Sequence, residues 1–372
     1  MWMTNKPMRD VLVVSALITA VVLVLSVPAI AQPTCGQTIT EDTKLESDLI
    51  CQSSEANPSP DGIVIGAPGV ALNLNGHSIY AYHYAIRNDG YDDVVIRDGT
   101  LGGDYEAVHL VDAKRNTLRN LQLASLQVAV NGSDVDGLSL IGSTTHFIVS
   151  VRGNGIVVRD NATSGYLASV RVNGDGNRVV RNTSSGVDNA IVVTGNHNRI
   201  AGNALTPWFF AGIWVAGGRG NVVEHNSVTG RSDRACGMVL DDVRGTLARD
   251  NAVSGVPNGI WLRSGDGNVL VRNRVANAPT NGTCQMYDTT QTPQDGLRVD
   301  AAATNTVLWG NSASKMPDDG IDVDAAGTRL RRNRATNNGD LGIEAVSGVI
   351  DLGGNAAAGN GNPLQCTNVF CR

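Results

Sequence analysis

Aromatic side chains make up only 4% of this 372-residue chain and charged ones 17%, although 42% of the residues are hydrophobic. A globular core of this size ordinarily leans on Phe, Tyr and Trp for buried volume, so the shortage argues against one. No run of Lys and Arg occurs and the formal charge is −6. That argues against nucleic acid as a partner, because phosphate binding needs a concentrated basic face. There is no Cys-x-x-Cys pair, and the histidines (His77, His83, His109, His146, His197, His225) are scattered without ligand spacing. Zinc is therefore not expected, and the histidines read as incidental. What is abundant is small, β-branched or turn-forming. The 43 glycines, with many Asn and Val, point to short strands joined by tight bends.

One long apolar run, residues 11–27, follows Lys6 and Arg9 and precedes Ala29-Ile30-Ala31. Positive, apolar, then small-x-small is the order of an export signal, with cleavage expected after Ala31. The run is also close to the short limit of a membrane span, which leaves retention as an anchor open. All six cysteines lie downstream, an even number in an exported chain, which favours disulfides. Nearest-neighbour pairing gives Cys35–Cys51, Cys236–Cys284 and Cys366–Cys371.

Repetition decides the fold. The segments NRVVRN (177–182), NRIAGN (198–203), NVVEHN (221–226), NVLVRN (268–273) and TRLRRN (328–333) recur through the second half. Their closing Asn falls at Asn161, Asn182, Asn203, Asn226, Asn251, Asn273, Asn311, Asn333 and Asn355, spaced 21 to 25 residues apart except for one interval of 38. Three residues before each stands an inward position: Val158, Val179, Ile200, Val223, Ala248, Leu270, Leu308, Leu330 and Leu352. The Asn is expected to take the left-handed backbone conformation of a bend and to bond from coil to coil. A second strand, reading GIWV (212–215), GMVL (237–240), GIWL (259–262), GLRV (296–299), GIDV (320–323) and GIEA (342–345), precedes each Asn strand and alternates with period two. Coils this short suit an all-β right-handed parallel β-helix of about 12–13 coils, roughly 60 Å long. Residues 1–31 would be the signal, 32–62 an N-terminal cap, 63–361 the helix and 362–372 a disulfide-closed tail. The long interval places about 16 extra residues near 276–293, carrying Cys284, Tyr287 and Asp288.

With its opening Cys-capped segment followed by LNLNGHSI (72–79), the chain resembles the pectate-lyase-like superfamily of right-handed β-helices. The likeness is to the repeat class shared by carbohydrate-binding proteins and sugar hydrolases, including NosD-like periplasmic proteins. The resemblance implies that substrate lies on the face of the GIxV strands, walled by the loop that precedes them. For lyases it implies Ca²⁺ on acidic residues and a basic residue as proton acceptor. The polygalacturonase set (Asn-Thr-Asp, Gly-His-Gly, Arg-x-Lys) and the Asp-Pro-His-Asp motif of alginate epimerases are missing.

Stacking the GIxV strands sets their outward residues in columns. One reads Val192, Trp214, Val239, Trp261, Arg298, Asp322, Glu344, and the next Thr194, Ala216, Asp241, Arg263, Asp300, Asp324, Val346; Asp295, Lys315, Asp318 and Asp319 stand in the turns leading in. Asp300, Asp322 and Asp324 are candidate acids or Ca²⁺ ligands, with Arg298 as carboxylate holder or base. Trp214, Trp261, Arg263, Glu344 and Lys315 are candidate sugar contacts. Asp300 and Asp324 recur in VDAAAT and VDAAGT, so a turn-opening role stands beside the catalytic one. The two tryptophans either form a sugar platform or pack beneath the insertion. The expectation is an exported, monomeric protein, secreted, periplasmic or at the cell surface, that binds a uronate-rich glycan and cleaves it as a lyase or a hydrolase; the rival is a non-catalytic binding or structural rod.

Overall fold

The computed structural model describes residues 32–54, 60–165, 169–230, 232–284 and 294–372. The proposed signal (1–31) lies outside them, as do Tyr287 and Asp288 of the insertion. Among the described residues there are strands and turns but no helix. Each coil gives one short strand to each of three parallel sheets, as in Ile191–Thr194, Arg199–Ala201 and Ala204–Pro207. The first sheet has 14 strands, running from Gln37–Ile39 to Ile343–Ala345. The other two merge where Val95–Gly103 and Thr117–Ser125 pass through the bend without a break. Parallel strands joined coil to coil in this way make a parallel β-helix, whose connections favour the right hand.

The coil count exceeds the expected 12–13 because the opening segment caps the core as a coil in its own right. Gln37–Ile39, Thr43–Lys44 and Leu49–Cys51 pair in register with Ile63–Ile65, Ala71–Asn73 and Ser78–Ala81. This stretch lacks the Asn signature, so its periodicity is invisible in the sequence. The three disulfides join the expected partners: Cys35 with Cys51, Cys236 with Cys284, Cys366 with Cys371.

Inside, the predicted inward positions from Val158 to Leu330 are at most 1% exposed. Each aliphatic side chain buried this way contributes about 1.5–3 kcal/mol. Leu352 departs from the pattern, being 50% exposed. In the last coil the register places Asp351, not Leu352, opposite the inward Leu330. The Asn residues form a buried ladder at the bend. Asn226, for example, donates both its backbone N–H and its Nδ2 to Asn251 Oδ1 at 3.0 Å and bonds Ile200 O with the same amide. The left-handed conformation, expected at the Asn, belongs instead to the residue just before it: Arg181 (φ 55°), His225 (54°), Arg272 (51°) and Arg332 (52°). That bend frees the Asn side chain to point along the stack. A second ladder, unrecognised in the sequence, runs through the first Asn of several repeats, with Asn177 N bonding Asn198 Oδ1 and Asn198 N bonding Asn221 Oδ1, both at 2.8 Å.

Glycine opens the GIxV strands for a steric reason. A Cβ at Gly237, Gly259 or Gly296 would run into the carbonyl oxygen of the glycine one coil further on. Such contact permits only a hydrogen atom.

Candidate functional site

Strand register converts this repetition into an outward column. Val192 faces Trp214, Trp214 faces Val239, and Val239 faces Trp261. Trp261 then faces Arg298, Arg298 faces Asp322, and Asp322 faces Glu344. All seven members stand in the expected order. The second column holds where Ala216 pairs with Asp241, but a shift in pairing between Leu262 and Ser264 interrupts it at Arg263.

Arg298 is the centre of the acidic half. Its guanidinium donates to Asp300 at 2.7 Å, Asp322 at 2.8 Å, Asp324 at 3.1 Å and Asp295 at 3.2 Å. Burial works against its charge, but these carboxylates outweigh burial and hold its pKa above the ordinary value. An arginine so engaged is poorly placed to act as a base. Around it the acids crowd each other. Burial, with repulsion from Asp324, Glu344 and Asp300, lifts Asp322 to about 7 against the pull of Arg298. Burial, then a hydrogen bond with Glu344, lifts Asp319 to about 9. Asp295, buried and next to Asp322, is also raised well above the carboxylate range. Near neutral pH the cluster therefore retains protons, which is what a general acid requires.

Asp300, Asp322 and Asp324, the expected cation ligands, are instead each bonded to Arg298. The three whose oxygens converge within 4.8 Å are Asp295, Asp318 and Asp319, from the turns leading into the strands. An all-oxygen set of that kind suits a hard cation such as Ca²⁺.

The tryptophans differ from each other. Trp261 is 4% exposed, packed with Cys236 and Cys284 of the insertion disulfide, and its Nε1 donates to Asp300 at 2.9 Å. Of the two readings, packing beneath the insertion is the one realised for Trp261. Its ring is covered, so it offers no open face to a sugar. Trp214 is half-buried at the edge of the same apolar cluster. Arg263 turns back to Asp241 at 3.0 Å and lies over the Trp261 ring at 5.0 Å. Lys315 lines a separate groove with Asn277, Met316 and Asn337, away from the Arg298 cluster. Glu344 is exposed at the end of the column.

Two histidines expected to be incidental are not isolated. His83 and His109 both contact Tyr84, with ring centroids 3.7 and 4.3 Å away. Each Nδ1 meets a carboxylate, Asp61 at 3.0 Å and Glu106 at 2.7 Å. They come from neighbouring coils 26 residues apart, so no local spacing could reveal them. The exposed Trp208 of the 208–210 bend also escaped notice, having no place in a column.

Residues 126–294 match the family model described as periplasmic copper-binding protein (NosD). Among curated proteins none matches in sequence. Of solved structures, a PL6 alginate lyase in complex with a trisaccharide shares the fold, with a TM-score of 0.58 at 12% identity over 91% of this chain and 83% of that one. A tailspike protein of E. coli bacteriophage HK620 in complex with a pentasaccharide (TM-score 0.47, 11% identity, 90% of this chain and 74% of that one) is also similar. So is the Streptococcus pneumoniae surface adhesin PfbA (0.42, 12% identity, 85% and 90%). At 12% identity the likeness to the lyase is one of fold, and together with the parallel sheets it establishes the chain as a parallel β-helix repeat protein.

Proposed function

We propose that this chain is an exported, monomeric polysaccharide-binding β-helix that hydrolyses glycosidic bonds at the acidic cluster around Arg298. The supporting observation is the convergence of Asp295, Asp300, Asp322 and Asp324 on one guanidinium, beside a column that also carries Trp214 and Glu344. Asp322, protonated near neutrality, would donate to the glycosidic oxygen. Asp324 or Glu344, both more exposed, would activate water or attack the sugar. Trp214 would guide a sugar ring. Three disulfides and the periplasmic description of the matched family support export, with residues 1–31 as the removed signal.

A lyase reading of this cluster is less well supported, because Arg298 is already engaged by four carboxylates. The acidic excess would also repel a uronate chain unless Ca²⁺, held by Asp295, Asp318 and Asp319, bridged the two. Copper does not fit. The one converging ligand group among the described residues is all oxygen, whereas copper prefers imidazole and sulfur. The rival, a binding rod without turnover, draws support from the same ion pairs, which hold Arg298 in place.

The test is incubation with neutral and uronate polysaccharides, with Ca²⁺ and with chelator, following new reducing ends and unsaturated ends. Hydrolysis predicts reducing ends without unsaturation, abolished by Asp322→Asn. No product from any polysaccharide, together with unchanged glycan binding by Asp322→Asn, would sink the assignment.

A further inference from the structure

The outward column does not begin at Val192. Register carries it back through Arg171, Ser150, Asn131, His109 and Arg87. Over these coils the flank differs in chemistry from the acidic end. A groove of about 410 Å³ opens on it, lined among others by Asn131, Ser150, Arg152, Arg171, Asn173 and Thr194. Neither Arg152 nor Arg171 forms a salt bridge among the described residues. Arg171 hydrogen-bonds Ser169 Oγ at 3.1 Å, and Asp188 is the acid that senses its charge from further off. By comparison, Arg181 is held by Asp160 at 2.8 Å and Arg272 by Asp250 at 2.7 Å. Two arginines in one groove without such partners leave donors for an anion.

Asn131, which lines the groove, is paired in register with His109 of the preceding coil, where the polar groups are tightly organised. Glu106 is 4% exposed, and its two oxygens accept from Asn131 Nδ2 at 2.8 Å and meet His109 Nδ1 at 2.7 Å. One buried carboxylate thereby fixes two column residues, and with its Nδ1 engaged His109 keeps Nε2 for another contact. The His109 ring is stacked on Tyr84 at 13°, and Tyr105, 43% exposed, lies 6.1 Å from Tyr84. Aromatic rings on one side and paired donors on the other are the two requirements of a sugar site. The coil spacing of about 4.8 Å is close to the length of one sugar ring.

We propose that coils carrying Tyr84 to Arg171 form a second glycan site, which takes an acidic oligosaccharide. Arg171 and Arg152 receive its carboxylate or sulfate groups, and His109, Asn131 and Tyr105 contact its hydroxyls and rings. The site is independent of the acidic cluster and opposite to it in sign, so the two ends of one flank select different sugars.

Calorimetric titration of the full chain with trigalacturonate, a sulfated trisaccharide and neutral maltotriose tests it. At least one acidic trisaccharide should bind about tenfold or more tighter than maltotriose, and binding should weaken as salt rises. Arg171→Gln should cost about tenfold, and Arg152→Gln combined with it more, while Arg181→Gln, an arginine already held by Asp160, should leave the affinity unchanged. Preference between the carboxylated and sulfated ligands names the anion. Equal affinity for maltotriose, no binding of either acidic ligand, or binding that survives both arginine changes overturns the proposal. Loss in Asp322→Asn with retention in Arg171→Gln overturns it too, by moving the ligand to the acidic end.

Discussion

Replacing Arg298 by Met keeps much of the side-chain volume and removes the single cation among four carboxylates. Hydrogen bonds to charged groups contribute about 1.5–3 kcal/mol each, but four such terms would overstate the loss. The side chains of Asp324 and Asp300 are 41% and 26% exposed, so water takes over part of the solvation that Arg298 provides. Asp322 and Asp295, at 9% and 1%, have no such recourse. The expected cost is that of breaking a buried pair from one side, about 3–5 kcal/mol. It should depend on pH. A carboxyl whose folded pKa is raised contributes stability below its unfolded value, and that contribution is lost as pH rises through the folded one. Asp322 titrates at about 7 in the fold, and removing Arg298 pushes it higher. The Met variant should therefore show a larger deficit near about pH 8 than near about pH 5. Urea unfolding followed by circular dichroism gives the global loss. Hydrogen exchange over residues 297–345 localises it, because a stack of coils opens locally. A deficit equal at both pH values, or below about 0.5 kcal/mol at the higher one, would refute the electrostatic account.

Wild type should lose stability in its C-terminal coils as pH rises from about 5 to 9, because Asp322 and Asp319 must give up protons that the fold retains; amide exchange in residues 318–345 should accelerate accordingly. Asn251→Ala should destabilise by about 2–5 kcal/mol in denaturant titration, since it strands the amide groups of Asn226 and the carbonyl of Val223 inside the bend. Removing the insertion disulfide with Cys236→Ser and Cys284→Ser should cost about 2–4 kcal/mol and shift tryptophan emission to the red as water reaches Trp261. Emission that stays blue would mean that the loop covers this ring without its covalent tie.

How much of this was legible depends on distance along the chain. Alternation in GIWV or GIDV is a local signal, and once coils of 21 to 25 residues are stacked the column from Val192 to Glu344 follows from it. The left-handed residue was misplaced by one, because Asn is the residue type that favours that conformation, whereas here the ladder needs its side chain inside and leaves the bend to Arg181 or Arg272. Burial of Trp261 was left open, since it depends on where a loop of irregular length lies. The convergence of Asp295, Asp318 and Asp319 arises in turns, where no periodicity fixes side-chain direction. His83 and Tyr84 meet His109 only after early coils with weak signatures fall into register.

Because every coil places one residue on the outward column, distances along that flank come in whole steps of about 4.8 Å, like marks on a ruler. Arg171 and Asp322 stand six marks apart, with Val192, Trp214, Val239, Trp261 and Arg298 between them. Duplicating or deleting one repeat would lengthen or shorten the gap by a single mark while leaving both ends chemically intact. A lineage could thus adjust the reach of such a protein to the periodicity of its polymer without redesigning either end.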